Sequence, residues 1–379
     1  MKAGIITFHY AHHYGAQLQA YALMKAVMHA GVDCEIIDYV RKDSIEGSRL
    51  FKKGFSARTL LSNADTLLNY FSLKRRYDRF QSFVSKDMKL SEKSYRRYTE
   101  LEADAPEYDM YVCGSDQIWN PLIYGEKTFD PAFFAAFAFT GRKIAYAPSF
   151  GISQMPEDKR DKLRNYLMSF DALSVREKQG EKIIEDVSGR ASITVLDPTL
   201  LLTGDEWGEL ANTPSFETPY LLCYFVSDGR KYSDYVKQLS EIYKLPVVAL
   251  CGSRRVPACT KKKVLDAGPK EFLGLFKNAA MICTDSFHGT VFSVNFKKDF
   301  VCFSSSKDSE GSVNSRLHNI LNKLELTARL YPCTISAQEF RQRVAKDGHS
   351  INYDKVEKLL SEERHLSEQY LGSSLKADI

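Results

Sequence analysis

The sequence predicts an α/β protein made of two doubly wound parallel sheets in tandem. Three observations lead there. Short apolar runs alternate with longer amphipathic ones, the pattern of βαβ units. The alternation restarts at Tyr220, after a stretch broken by Pro198, Gly204, Pro214 and Pro219. A chain of 379 residues, 44% of them apolar, is long for one core and comfortable for two. The expected domains are 1–200 and 215–379.

Lys2–Phe8 reads as the first strand. Gly15 precedes a helical stretch, Ala16–Ala30, which Gly31 stops, and Val32–Tyr39 reads as the second strand. Residues 41–100 break the rhythm and read as an insertion of two or three basic, aromatic helices. They hold 15 Lys and Arg against 7 Asp and Glu, a net +8, whereas the rest of the chain carries 37 against 41, a net −4. Strands then follow at Tyr108–Cys113, Lys143–Pro148, Ala172–Val175 and Ile193–Leu196. The second series has strands at Tyr220–Val226, Pro246–Leu250, Met281–Thr284 and Phe300–Phe303. Its helices are expected at Tyr232–Tyr243, Pro269–Ala279 and Gly289–Phe296, with a charged helical tail over 352–371.

Composition excludes several classes. Basic character confined to one segment argues against nucleic-acid binding. Met1–Tyr10 has no extended apolar region or small-residue cleavage site, and Phe133–Phe139 is too short to span a bilayer. A cytoplasmic protein is expected, with a peripheral contact at the inner membrane face through 41–100. None of the eight cysteines forms a Cys-x-x-Cys pair, so they read as reduced core residues, with neither metal nor disulfide framework.

In doubly wound folds ligands bind beyond the carboxyl ends of the strands, and five segments there carry chemistry. Phe8–Gln19 offers His12, His13 and Gln17 around Gly15, a glycine at a helix start where N–H groups can face an anion. Cys113–Asn120 offers Ser115, Asp116, Gln117 and Asn120 beside Trp119, a mixture suited to sugar hydroxyls and an apolar ring face; a helix cap at Ser115 or Asp116 explains it equally well. Ser174–Glu177 places Arg176 where it can clamp an anion or simply pair with Glu177. Thr284–Ser293 places His288 before Gly289, with a reference pKa suited to proton transfer. Val313–Leu317 carries Arg316 as a second anion clamp, with Asn314 as contact or cap.

Taken in order, FHYAHHYGAQLQAYAL (8–23), GSDQIWNP (114–121), SFG (149–151), SVRE (174–177), LDPTLL (196–201), TDSFHGTVFS (284–293) and NSRL (314–317) resemble the polysaccharide pyruvyl transferase family over nearly the whole chain. The resemblance implies two Rossmann-like domains arranged as in GT-B glycosyltransferases, the first on the acceptor side and the second on the donor side. It implies phosphoenolpyruvate as donor, no further cofactor, and a sugar acceptor of exopolysaccharide, capsule or cell-wall polymers, often lipid-linked. The product is a cyclic pyruvate ketal, with release of phosphate. On this reading His288 is the general acid and Arg176 and Arg316 hold the donor. Gly15 assists, and Asp116 and Asn120 orient the acceptor. His13, Gln17, Ser115, Ser149, Glu177, Ser286 and Asn314 complete the substrate contacts. Many members carry an arginine two residues before the motif histidine; here that residue is Ser286, and Arg316 is expected to supply the missing charge. The alternatives are a nucleotide-sugar glycosyltransferase of the same fold and a binding scaffold without catalysis.

Overall fold

The computed structural model describes residues 1–376 apart from 125–126, 217–218, 252–254, 305–314 and 348–349. The first sheet has seven strands: β1 (Lys2–Ile6), β2 (Asp33–Tyr39), β3 (Leu90–Tyr95), β4 (Met110–Cys113), β5 (Arg142–Ala145), β6 (Ala172–Val175) and β7 (Ile193–Thr194). Their order is β3-β2-β1-β4-β5-β6-β7, every pair parallel. The second has six: β8 (Leu221–Tyr224), β9 (Val247–Leu250), β10 (Lys262–Val264), β11 (Met281–Thr284), β12 (Asp299–Ser304) and β13 (Leu330–Pro332). Their order is β10-β9-β8-β11-β12-β13, again all parallel. The central strands β4, β8 and β11 are buried at every residue, because helices cover both faces. The order reverses beside β1 and β4 in one sheet and beside β8 and β11 in the other, which places the crevices there.

The helices follow in chain order: α1 (Tyr14–His29), α2 (Lys42–Gly47), α3 (Ala57–Leu68), α4 (Tyr70–Asp87), α5 (Tyr98–Ala103), α6 (Glu157–Met168), α7 (Lys178–Ser188), α8 (Gly204–Leu210), α9 (Ser233–Tyr243), α10 (Pro269–Asn278), α11 (Phe287–Asn295), α12 (Ser315–Lys323), α13 (Ala337–Asp347) and α14 (Tyr353–Lys376). Two expectations change. Helix α1 begins at Tyr14, with His13 as its N-cap, so Gly15 lies inside the first turn instead of before it. The insertion is narrower than 41–100, because Leu90–Tyr95 pairs with β2 as the edge strand of the first sheet. That strand exposes Glu92, Lys93 and Ser94, so its sequence reads as polar loop.

The insertion helix α4 buries Phe80, Phe83 and Val84 and spends part of its charge on the second half of the chain. Arg75 and Arg79 pair with Asp266 at 3.1 and 3.2 Å, and Arg79 also reaches Glu271 at 3.3 Å. One apolar cluster runs through both halves, taking in Ala3, Val112, Trp207, Leu222, Phe272 and Phe292. Tyr14 crosses the junction: its ring stacks on Phe272 at 4.7 Å and its hydroxyl donates to Ala267 O at 2.9 Å. The last helix returns to the first sheet, where Tyr370 donates to Ala145 O at 2.9 Å and Ser367 Oγ accepts from Leu196 N at 3.0 Å.

Candidate active site

The loops after β1, β4, β5, β6 and β7 converge with the start of α11 and the first turn of α12. Their scaffold is Gln19, whose amide nitrogen donates to Thr7 Oγ1, Phe8 O and Ala16 O while its oxygen accepts from Ser115 N at 3.0 Å. That residue ties the β1 loop to the β4 loop and α1 to both.

Asp197 is the hub, and its side chain is fully buried. One carboxylate oxygen accepts from Thr199 N at 3.0 Å and Thr199 Oγ1 at 2.6 Å, capping the turn that begins at Pro198. The other accepts from Arg176 Nη1 at 2.6 Å and lies 3.9 Å from His288 Nε2. Arg176 also faces Asp116 at 3.6 Å and Glu177 at 3.9 Å. Burial alone would raise both aspartates; Arg176 and His288 win and hold them below the usual carboxylate range. Sequence reasoning quoted Asp197 within LDPTLL but assigned it no role, since an Asp before Pro reads as a turn cap.

His288 is buried at the second position of α11, and Nε2 has no hydrogen-bond partner among the described residues. Burial pulls its pKa down to about 4 despite Asp197 and Asp116, so the ring is neutral at pH 7. The His13 ring lies 6.3 Å away. Gly15 sits directly beneath: a Cβ there would come within 2.1 Å of His288 Nδ1. The glycine is therefore needed for space, a different reason from the anion-facing turn read in the sequence.

Arg316 reaches the same place from α12. Its guanidinium lies over the Phe287 ring at 5.9 Å, and that of Arg176 over the same ring at 4.9 Å. The Gln117 amide stands beside it; turned with oxygen toward the guanidinium, it accepts from Nη1 and Nη2 at 3.3 and 3.2 Å. Burial, reinforced by Arg176, lowers Arg316 to about 10, so it stays charged at neutral pH. Among the described residues no carboxylate lies within ion-pair distance of it.

Other expected residues serve the framework. Ser115 Oγ donates to Ala147 O at 2.9 Å, and Ser149 Oγ to Glu177 Oε1 at 2.7 Å. Ser286 caps α11 by accepting from Gly289 N at 3.2 Å. Asn120 Oδ1 accepts from Leu122 N at 2.9 Å, and its amide nitrogen lies 2.8 Å from the Gln117 amide. Trp119, read as a stacking surface for sugar, is wholly buried; it stacks on Phe134 and donates to Phe133 O at 3.0 Å. Asn314 lies outside the described residues. By contrast Gln17 is fully buried with both amide atoms unpartnered, as are Arg176 Nε and Nη2, Glu177 Oε2 and Arg316 Nε. Buried polar groups rarely lack a hydrogen bond, and those of Arg176, Glu177, Arg316 and His288 make this cleft the candidate ligand site.

Among the described residues no group of three or more His, Cys, Asp or Glu could hold a metal, and no helix is long and apolar enough to cross a membrane. A groove of about 1060 Å³ lies between the β1 loop and the insertion, lined by His12, Arg76 and Tyr77 on one side and by Leu61, Ser62 and Asp65 of α3 on the other.

The architecture has solved counterparts. AviGT4, a glycosyltransferase involved in avilamycin A biosynthesis, matches with a TM-score of 0.50 at 10% identity, over 99% of this chain and 97% of its own. MurG of Acinetobacter baumannii matches at 0.46 and 9% identity, over 98% of each chain. The UDP-GlcNAc 2-epimerase of Methanocaldococcus jannaschii gives 0.45 and 12%, over 91% of this chain and 92% of its own. At such identities the likeness to AviGT4 is one of fold, and the fold is GT-B. No curated protein matches. A family model described as polysaccharide pyruvyl transferase matches residues 13–307, which takes in α1, Asp116, Arg176, Asp197 and His288 in order and ends before Arg316. The chain therefore belongs to the polysaccharide pyruvyl transferase family and is a transferase.

Proposed function

We propose that the chain transfers the pyruvyl group of phosphoenolpyruvate onto two hydroxyls of one sugar, forming a ketal and releasing phosphate. The observation that carries this is Arg316, a charged guanidinium with no carboxylate beside it among the described residues, lying over Phe287, whose neighbour in sequence is a buried histidine without a hydrogen-bond partner at Nε2. A small donor carrying both a phosphate and a carboxylate needs such a cation, and its enol carbon needs such a proton source.

The chemistry balances without a redox partner. His288, once protonated, gives its proton to C3, and the C2–C3 π pair forms the new C–H bond. The oxocarbenium left at C2 takes the oxygen of one sugar hydroxyl, whose proton passes to a base. The C2–O bond to phosphate then breaks, and phosphate departs with the electron pair. The second hydroxyl adds to the renewed oxocarbenium and closes the ring, its proton passing to the departing phosphate, while the proton of the first restores the His288 imidazolium. Asp197, 3.9 Å from Nε2, stabilises the imidazolium, and Arg176 holds Asp197 and Asp116 in place. Arg316 takes the donor anion in the position the family arginine would serve from residue 286, while Gln17 and Glu177 Oε2 remain for substrate hydroxyls.

The test is incubation with phosphoenolpyruvate and candidate acceptor sugars, free and lipid-linked, read by phosphate release and product mass. Arg316→Ala should weaken donor binding about 10- to 150-fold, the worth of one hydrogen-bonded charged contact. Lysine there should restore only part, having charge without the planar fork. Consumption of a nucleotide sugar instead would establish the glycosyltransferase alternative, and binding without turnover of either donor would establish the scaffold. Wild-type donor affinity in Arg316→Ala would remove the clamp.

A further inference from the structure

Sixteen large hydrophobic side chains are exposed among the described residues, and seven of them fall within 51–71. Four lie on α3. Leu60, Leu61, Leu67 and Leu68 recur at heptad spacing, so they form one stripe on the helix, and they are 55, 73, 69 and 74% exposed. Amphipathic helices ordinarily turn that stripe toward a core. Here Phe55 and Phe71, 94 and 83% exposed, extend the apolar surface at either end of the helix instead.

The charge beside it is predominantly basic, with Asp65 the one carboxylate within 49–71. Arg75 and Arg79 are occupied by Asp266, and Lys74 by Asp78. Arg49, Lys52 and Lys53 have no carboxylate partner among the described residues, and both lysines are exposed. We infer that residues 49–71 form a docking face for an anionic lipid bilayer, with the leucine stripe and phenylalanines entering the headgroup–acyl boundary and the cations meeting lipid phosphate. The charge chooses this occupant: apolar surface rimmed by unpaired cations complements an anionic interface, whereas a second copy would bring the same cations face to face. The groove lined by Leu61 and Ser62 also reaches Arg76 of α4 and His12, the neighbour of the α1 cap His13. A bilayer held at α3 would therefore present a lipid-linked sugar to the groove that borders the β1 loop. That link rests on the proposed function; the docking does not.

Flotation with vesicles of phosphatidylcholine containing about 30% phosphatidylglycerol tests it. The wild-type protein should float at low salt, several-fold less at high salt, and little with phosphatidylcholine alone. Leu61→Glu/Leu68→Glu should abolish flotation and Lys52→Glu/Lys53→Glu should cut it about tenfold, with circular dichroism and phosphoenolpyruvate affinity unchanged in both. Absence of wild-type binding, or binding indifferent to the leucine changes, overturns the inference. So does a concentration-dependent dimer that the leucine changes dissolve, since the face would then belong to a second copy. A wild type that floats but fails to bind phosphoenolpyruvate leaves the docking standing and removes the donor reading.

Discussion

His288 poses a problem of charge that its position also solves. Burial holds its pKa near 4, so at neutral pH it has no proton to give. An anionic donor placed beside Nε2 adds to the pull of Asp197 and Asp116 and raises that value. Donor binding should therefore take up about one proton, which buffer-dependent calorimetry measures at a pH where the free donor is fully ionised. His288→Gln should bring the uptake to zero, and His288→Ala should cut turnover about 10²–10⁴-fold while leaving the fold intact. A wild-type enthalpy independent of the buffer would mean that the histidine is not the acid. At this scale the sequence was informative about type and poor about depth. His288, Arg176 and Arg316 were readable because charged or titratable residues follow strands. Asp197 was not, because its caps hide it, and Trp119 was misread because nothing in GSDQIWN distinguishes a wet ring from one sealed against Phe134.

Helix α1 shows how an element shapes the centre. Ala is the better helix former by about 1 kcal/mol, and Gly15 has helical neighbours on both sides. Gly15→Ala should therefore leave thermal stability near or above wild type as far as the helix is concerned. The new methyl, however, claims space 2.1 Å from His288 Nδ1. The ring must shift, and a displacement of about an ångström at a reacting group costs about 10²-fold in rate. Turnover assays alongside a melting curve check this; near wild-type turnover would contradict the packing. The strands with buried apolar runs were legible because both faces are covered. The edge strand β3 was not, since only two of its six residues are buried, and a two-residue difference in where α1 starts changes what its glycine is for.

The two halves share one apolar cluster, and Trp207 stands at its centre, wholly buried, with its indole donating to Thr199 O at 3.0 Å. Melting one half exposes the surface that supports the other. A single unfolding transition is expected by calorimetry, and Trp207→Ala should lower it by about 3–5 kcal/mol for the whole chain. In Trp207→Phe the only remaining tryptophan, Trp119, reports on the first sheet alone. Its denaturation curve should coincide with far-ultraviolet circular dichroism, which sees both sheets; separated curves would show independent halves. The tandem arrangement was visible in the restart of the pattern at Tyr220, but this shared core was not, because apolar residues do not announce which neighbour they will meet.

Helix α14 ends where the chain began. Its last turns rest on the first sheet, with Arg142 donating to Ser374 O at 2.9 Å. In mechanical terms the second sheet is strapped to the first by chain at two places, one leaving β7 and one returning through α14, besides the shared apolar cluster and the Tyr14 contacts. Arg316 and His288 ride on the strapped body, so any opening of the cleft would carry them away from Asp197 and Arg176 together, and the two straps would limit how far it goes.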